Sequence, residues 1–177
     1  MNLEAQDWER GFLVATATVL VVLFVAILGS VVDAGIDLPA DAGQIDPRML
    51  SVEDPSTNPV PFNRLGVVAA AEGEPVDFRV VLLAAQWRFF AGEEAGSGGA
   101  VPRIEVPAGS RVELVLTSLD TAHGFLVADL AVNATVIPGQ ITRMTVDLDR
   151  PGEYRIVCHE FCGIGHHTMY GVLEVTP

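Results

Sequence analysis

The amino-acid sequence predicts an all-β sandwich or barrel that follows a single N-terminal transmembrane helix. Residues 11–32 form an apolar run with no charged residue between Arg10 and Asp33. After residue 75, short segments that alternate apolar and polar side chains are separated by turn sequences such as Pro-Gly. With 177 residues, the chain is long enough for one ordinary domain and an appendage.

The charge composition argues against one large class of partners. The chain has 23 acidic residues against 10 basic ones, all of them arginine, for a net charge of −13. A nucleic-acid partner is not expected, because so acidic a chain cannot displace counterions from phosphates. Two explanations of the lysine-free, acidic composition stay open: adaptation to high salt, which screens self-repulsion, or a coding bias that replaces lysine by arginine.

The N-terminal segment, residues 1–34, is predicted to be a membrane anchor. About 21 apolar residues at ~1.5 Å each span ~31 Å, which matches the hydrocarbon core of a bilayer. A cleaved signal peptide is the rival interpretation, but the apolar run is long for one and its N-terminal flank is acidic. Trp8 would lie at one interface, and Arg10, the basic residue near the run, favours a cytoplasmic N-terminus.

Residues 35–75 are predicted to be a Pro-rich, extended linker, with one short helical turn near residues 47–50. Residues 76–177 then form the β domain, in which residues 91–100 are a Gly-rich surface loop. The predicted strands lie at residues 76–90, 104–106, 111–117, 141–148, 154–158 and 171–175. A further strand carries His123, Phe125 and Val127 on one face.

The connection between the last two predicted strands concentrates the side chains that can bind a metal. Its candidate ligands are Cys158, Cys162, His166 and Met169. Thiolate, imidazole and thioether groups select copper or zinc over magnesium or calcium. Strand parity turns Cys158 inward, two glycines let the loop curl, and a neighbouring strand could bring His123 alongside.

Each of these residues also has a purely structural interpretation. The two cysteines could form a disulfide, His123 could be a hydrogen-bonded core histidine, and Met169 could be core packing. A zinc ribbon would need further cysteines, which the chain lacks. The combination of all of them in one loop and one neighbouring strand favours a metal site.

The loop, Cys-x-x-x-Cys-x-x-x-His-x-x-Met, resembles the binuclear copper A loop of cytochrome c oxidase subunit II. Its flanks are similar too: Asp-x-x-His-Gly-Phe, a Pro-Gly-x turn, and Arg-Pro-Gly-Glu-Tyr-Arg shortly before the first cysteine. One transmembrane helix and a Pro-rich connector resemble the B-type haem–copper oxidases of thermophilic bacteria and halophilic archaea. The resemblance implies a cupredoxin-like Greek-key sandwich with an N-terminal transmembrane helix.

The resemblance also implies the ligands of two copper ions. They are His123, Cys158, the backbone carbonyl of Glu160, Cys162, His166 and Met169. The two thiolates would bridge the ions, with His123 and Met169 completing one copper and His166 and the Glu160 carbonyl completing the other. A further hypothesis is that the Glu160 side chain reaches a magnesium ion at the interface with the catalytic subunit.

The function implied by the resemblance is electron entry into a cytochrome-c oxidase. This membrane-anchored subunit would accept electrons from a cytochrome c or a small blue-copper protein and pass them to haem in subunit I, where oxygen is reduced to water. Trp87 and Phe89 resemble the family's aromatic segment at the point of electron entry, although Trp87 could equally be a core anchor. A site with every ligand position filled suits an electron carrier better than a hydrolytic centre.

The location implied is the plasma membrane, crossed once, with the C-terminal domain on the extracytoplasmic side. Two other functions remain open: the copper A subunit of a nitric-oxide reductase, and a membrane-tethered copper carrier.

Overall fold

A computed structural model describes residues 3–33, 40–92 and 101–177. The chain divides into two compact units, Met1–Ile36 and Asp37–Pro177, and each is considered by itself. The first contains helix α1, Leu3–Asp33. Within it, Asp7–Ser30 has a mean hydropathy of 2.8, and every side chain of that stretch is exposed. The helix is therefore long and apolar enough to cross a membrane.

The second unit is a sandwich of two β-sheets, which confirms the predicted fold class. Its strands are β1 Ala40–Gln44, β2 Gly66–Ala69, β3 Phe78–Ala85, β4 Arg88–Phe90, β5 Arg103–Pro107, β6 Ser110–Ser118, β7 His123–Val127, β8 Val132–Val136, β9 Gln140–Leu148, β10 Gly152–Val157 and β11 Tyr170–Thr176. The first sheet has the order β1-β9-β6-β3-β2, with β4 paired to β3, and the second has the order β5-β11-β10-β7-β8. The β3–β6 and β5–β11 pairs are parallel and the other pairs are antiparallel. The Gly-rich loop predicted at residues 91–100 lies largely outside the described residues.

The main core lies between the two sheets. Alternate residues of each strand point inward, so that β5 and β8 bury every second side chain. Leu82 and Leu116 from the first sheet meet Phe125, Ile156 and Leu173 from the second, and all five are almost fully buried. Packing in this core holds in place the ends of the sheets, where the candidate metal ligands lie.

A second apolar cluster covers the outer face of the first sheet, and it corrects the prediction of an extended linker over residues 35–75. The segment of residues 45–65, here named the strap, places Leu50 and the fully buried Phe62 against Val81, Leu83 and Val115. Residues 40–44 and 66–69 on either side of it are strands β1 and β2. Strand β3 is therefore buried on both faces, which explains its unbroken apolar sequence from Val80 to Ala84.

Local hydrogen bonds fold the strap. Asp46 caps a 3₁₀ turn at Pro47–Met49, within the predicted helical turn, and Asp54 caps a second at Pro55–Thr57. The buried amide of Asn58 donates to the carbonyl oxygens of Ser51 and Phe62 and accepts from the Ser51 N–H. The prolines of the strap therefore lie in capped turns that pack on the sheet. Each capped turn forms hydrogen bonds with its own backbone groups, so the segment needs no neighbouring strand to pair with.

A charged network lies beside this cluster, on the same outer face of strand β6. The Glu113 carboxylate is 2.7 Å from Arg79 Nε and 3.0 Å from Arg143 Nη1, and Arg79 also contacts Glu74. Burial alone would raise the pKa of Glu113, but its hydrogen bonds with the two arginines hold that pKa below the usual range. Glu113 thus favours its ionised form in the folded domain.

Candidate metal centre

The loop between β10 and β11 lies at one end of the second sheet, next to the start of β7. Strands β10 and β7 pair through Val157 and Leu126. The N–H of Cys158 donates to the carbonyl oxygen of Met169 at 3.2 Å, so the loop closes where it leaves the sheet. His123, the first residue of β7, points into the same end of the sandwich and is completely buried.

The six predicted ligand groups come together there. The two sulfurs, Cys158 Sγ and Cys162 Sγ, are 3.8 Å apart, and both thiols are free. Cys158 Sγ is 4.0 Å from His123 Nδ1 and 3.3 Å from the carbonyl oxygen of Glu160. Cys162 Sγ is 3.6 Å from His166 Nδ1 and 3.8 Å from Met169 Sδ.

The donor set fits copper chemistry. It contains thiols, imidazoles, a thioether and a backbone carbonyl, and none of the six donors is a carboxylate. One tetrahedral zinc ion would use only four such donors. Burial and the neighbouring Cys158 raise the pKa of Cys162 to about 12, so this thiol needs a bound cation to become a thiolate near neutral pH.

Asp120 orients the His123 ring, a role that the sequence analysis did not assign. Asp120 Oδ1 lies 2.8 Å from His123 Nε2, while its carboxylate accepts from the N–H groups of Thr121 and Gln86, each at 2.7 Å. Burial alone would raise the pKa of Asp120, but its hydrogen bonds with His123, Gln86 and Thr121 keep it below its usual range. Because a carboxylate only accepts, the proton of His123 lies on Nε2 and Nδ1 is left free to bind a metal.

The turn between β3 and β4 packs against the ligand loop. The Gln86 side-chain amide donates to the carbonyl oxygen of Cys162 at 2.7 Å. The indole of Trp87 covers the loop so closely that a methyl group on Gly165 would lie 2.4 Å from it, and one on Gly163 would lie 3.1 Å from its nitrogen. Gly163, at φ +117°, allows the predicted curl, but Gly165 is required by the contact with Trp87.

The two predicted electron-entry residues have different surroundings. Trp87 is 40% exposed in the turn, so it is not a core anchor of a strand. Phe89 is 1% exposed and packs edge-to-face on Phe125, with ring centroids 5.5 Å apart. Strand β4 turns Phe89 into the core, so this residue offers no exposed surface to a docking partner, and its role in electron entry stays a prediction.

Several side chains of the ligand loop face solvent. Phe161 and Ile164 are 79% and 89% exposed, and His167 is also exposed. The Glu160 carboxylate lies 3.7 Å from His159 Nδ1, with close to half of its side chain exposed. The loop therefore combines a buried donor cluster with an outer surface that is partly apolar.

Comparison with known proteins identifies relatives along almost the whole chain. The family model for cytochrome c oxidase subunit II, periplasmic domain, matches residues 99–176. A cytochrome c oxidase subunit 2 of Thermus thermophilus is 30% identical over 171 residues, which cover 95% of this chain and 91% of that protein. A chain of a heme-copper terminal oxidase dimer solved by cryo-electron microscopy is 28% identical, with a TM-score of 0.69, covering 95% of this chain and 99% of that one. The periplasmic domain of subunit II of cytochrome oxidase from Bradyrhizobium japonicum is 19% identical over 58% of this chain and 86% of that one, and its TM-score of 0.51 supports the sandwich fold.

Proposed function

This chain belongs to the cytochrome c oxidase subunit II family, and we propose that its β domain holds a binuclear copper A centre. As subunit II of a haem–copper terminal oxidase, it is part of a larger complex. In the proposed function, the domain accepts electrons from a soluble donor and passes them to haem in subunit I, where oxygen is reduced to water. The observation that carries the proposal is the contact of two buried, free thiols with two imidazoles and a thioether.

The proposed ligands are the donors that lie around the two thiols, and their division between two copper ions is the one that the family resemblance implies. Cys158 and Cys162 would bridge two copper ions, and their sulfurs lie 3.8 Å apart with one imidazole nitrogen within 4.0 Å of each. His123 and Met169 would complete one copper ion, and His166 with the Glu160 carbonyl would complete the other. A thiolate-bridged copper pair, when bound, supplies one-electron transfer with little change of geometry.

Burial supports electron transfer over hydrolysis at this site. His123, Cys158, Cys162 and Met169 are each at most 3% exposed. Protein donors surround the site, whereas a hydrolytic metal centre keeps one coordination position open to water. The surrounding side chains would therefore hold the ligands still and keep water away while an electron passes.

We propose that electrons enter at Trp87. Its indole lies directly on the ligand loop and is 40% exposed to solvent. The exposed Phe161 and Ile164 add apolar contact area on the same loop, and the net charge of −13 would attract a basic donor. A cytochrome c or a small blue-copper protein fits these requirements.

The anchoring function belongs to helix α1, which we propose crosses the plasma membrane once and leaves the β domain on the extracytoplasmic side. The apolar span supports an embedded helix, and Arg10 at its N-terminal end favours a cytoplasmic N-terminus. We also propose that the half-exposed Glu160 carboxylate contributes to a magnesium site shared with subunit I. Metal analysis of the intact complex would reject this site if no magnesium is present.

Electron spin resonance of the full chain, purified in detergent and loaded with copper, tests the centre. We expect a hyperfine pattern from one unpaired electron shared by two copper nuclei. Cys162→Ser should give a mononuclear spectrum and abolish oxidation of the donor by the assembled complex. A mononuclear spectrum from the unaltered chain would instead identify a copper carrier and reject the proposal.

Adjacent histidines provide a matched control for the ligand assignment. His166→Asn should change the copper spectrum, because its Nδ1 faces Cys162 Sγ at 3.6 Å. His167→Asn should leave the spectrum unchanged, because His167 is exposed beside it. An identical response of the two variants would contradict the assignment of His166.

A further inference from the structure

One two-residue turn contacts both parts of the chain that supply metal ligands. Gln86 and Trp87 connect β3 to β4. His123 comes from the start of β7, whereas the other candidate ligands come from the loop between β10 and β11. Because these two ligand sources lie on different elements, their separation must be fixed by contacts between them.

The first contact of the turn reaches the histidine. The backbone N–H of Gln86 donates to Asp120 Oδ2 at 2.7 Å, and Asp120 Oδ1 is 2.8 Å from His123 Nε2. His123 is completely buried, so its ring has no water partner that could replace the carboxylate. The hydrogen bond to Asp120 is made by the Gln86 backbone, so it persists when the side chain of residue 86 is changed.

The second contact reaches the ligand loop. The Gln86 side-chain amide donates to the carbonyl oxygen of Cys162 at 2.7 Å. A methyl group on Gly163 would lie 3.0 Å from that amide nitrogen, so the loop is shaped to admit it. The hydrogen bond to Cys162 is made by the Gln86 side chain, so a substitution can remove it and keep the bond to Asp120.

We propose that Gln86 is a positioning residue that sets the geometry of Cys162 relative to His123 in the copper centre. The inference rests on the proposed function. Cys162 would bridge both ions, so a rotation of its backbone would move a sulfur shared by both metals. Groups that orient metal ligands in this way typically change metal affinity by about 10–100-fold when they are removed.

Gln86→Met tests the inference in the full chain purified in detergent, because methionine keeps the length of the side chain and removes the amide. We expect the same copper content as the unaltered chain, about tenfold or faster loss of copper to a chelator, and altered copper hyperfine splittings. Gln140→Met is the matched control: Gln140 is exposed at the start of β9, and its hydrogen bond with Thr117 uses its backbone carbonyl. The control should match the unaltered chain in both measurements.

A purely structural role predicts a different outcome, namely a lower melting temperature of the copper-free domain with an unchanged copper spectrum. That result, or a Gln86→Met variant with unaltered hyperfine splittings and chelator kinetics, would overturn the inference. Should Gln86→Met fail to fold, Gln86→Asn withdraws the amide by one methylene and should alter the same two measurements. If the unaltered chain itself shows no binuclear spectrum, the proposed function fails and the role of Gln86 fails with it, whereas a binuclear spectrum that Gln86→Met leaves unaltered overturns the role of Gln86 alone.

Discussion

Gly165→Ala is expected to destabilise the β domain through one specific contact. The backbone of Gly165 has φ −86°, which alanine adopts without strain, so the substitution has no backbone penalty. The added methyl group, however, would lie 2.4 Å from Cδ2 and 2.7 Å from Cγ of the Trp87 indole. Trp87 and the ligand loop must therefore move apart.

The size of the effect follows from these distances. Carbon atoms pack best at about 3.5–4.0 Å, so the indole or the loop must shift by roughly 1 Å. Overpacking of this kind costs about 1–3 kcal/mol of the free energy of unfolding. Without the indole, the same substitution should be neutral or stabilising by up to about 1 kcal/mol, because alanine restricts the unfolded chain.

A double-mutant cycle separates the two contributions. The free energy of unfolding is measured by urea denaturation, followed by the β-sheet circular dichroism of the copper-free full chain in detergent. The four proteins are the unaltered chain, Gly165→Ala, Trp87→Ala and the double variant. We expect Gly165→Ala to destabilise only when Trp87 is present, and a coupling energy below about 0.5 kcal/mol would refute the proposed contact.

Three further substitutions test separate parts of the molecule. Phe62→Ala should lower the free energy of unfolding by about 3–5 kcal/mol in urea denaturation, because this fully buried ring joins the strap to the sheet, whereas Val60→Ala, at a 78% exposed position, should change it by less than about 0.5 kcal/mol. Because the folded-state pKa of Glu113 is lowered, its ionisation stabilises the domain above the ordinary value of 4.5, and this stabilisation is lost as the pH falls below that value. As the pH is lowered from ~5 to ~3, the melting temperature of the Glu113→Gln variant should therefore fall less steeply than that of the unaltered chain. An equal slope in the two proteins would exclude the effect. Met169→Leu should keep the copper content but shift the midpoint potential in redox titration, since a weak axial thioether tunes a copper site; loss of copper would contradict that role.

The parts of the structure that could be predicted from the sequence depend on short-range patterns. The apolar run within α1 is continuous, and most of β6 and β9 alternates between apolar and polar residues, so both were recognisable within a few residues. The ligand loop is also local, because its donors lie between Cys158 and Met169 and its spacing is distinctive. His123 was recognisable because it shares strand parity with apolar neighbours.

The parts that the sequence did not predict depend on long-range contacts. The strap looks like a linker because its buried apolar residues, Leu50 and Phe62, are few and follow no period. The unbroken apolar run of β3 was the available signal, since it indicates a strand covered on both faces. Gln86 had no signal at all: its two partners, Asp120 and Cys162, lie 34 and 76 residues away.

These features connect the strap to the metal centre. Strand β3 packs on the main core through Val80 and Leu82 and on the strap through Val81 and Leu83, and it leads directly into the turn of Gln86 and Trp87. A fragment of residues 76–177 would expose the outer face of β3 to water and loosen the base of that turn.

A fragment of residues 40–177 should therefore retain copper in a chelator challenge, whereas the fragment of residues 76–177 should lose it faster and melt at a lower temperature. The reason is that the shorter fragment lacks β1, β2 and the strap, which together pair with β9 and β3 and cover the second apolar cluster. The Phe62→Ala variant of the longer fragment provides an intermediate case, with the strap present but poorly packed. Equal copper retention by all three proteins would show that the strap stabilises the fold without supporting the centre.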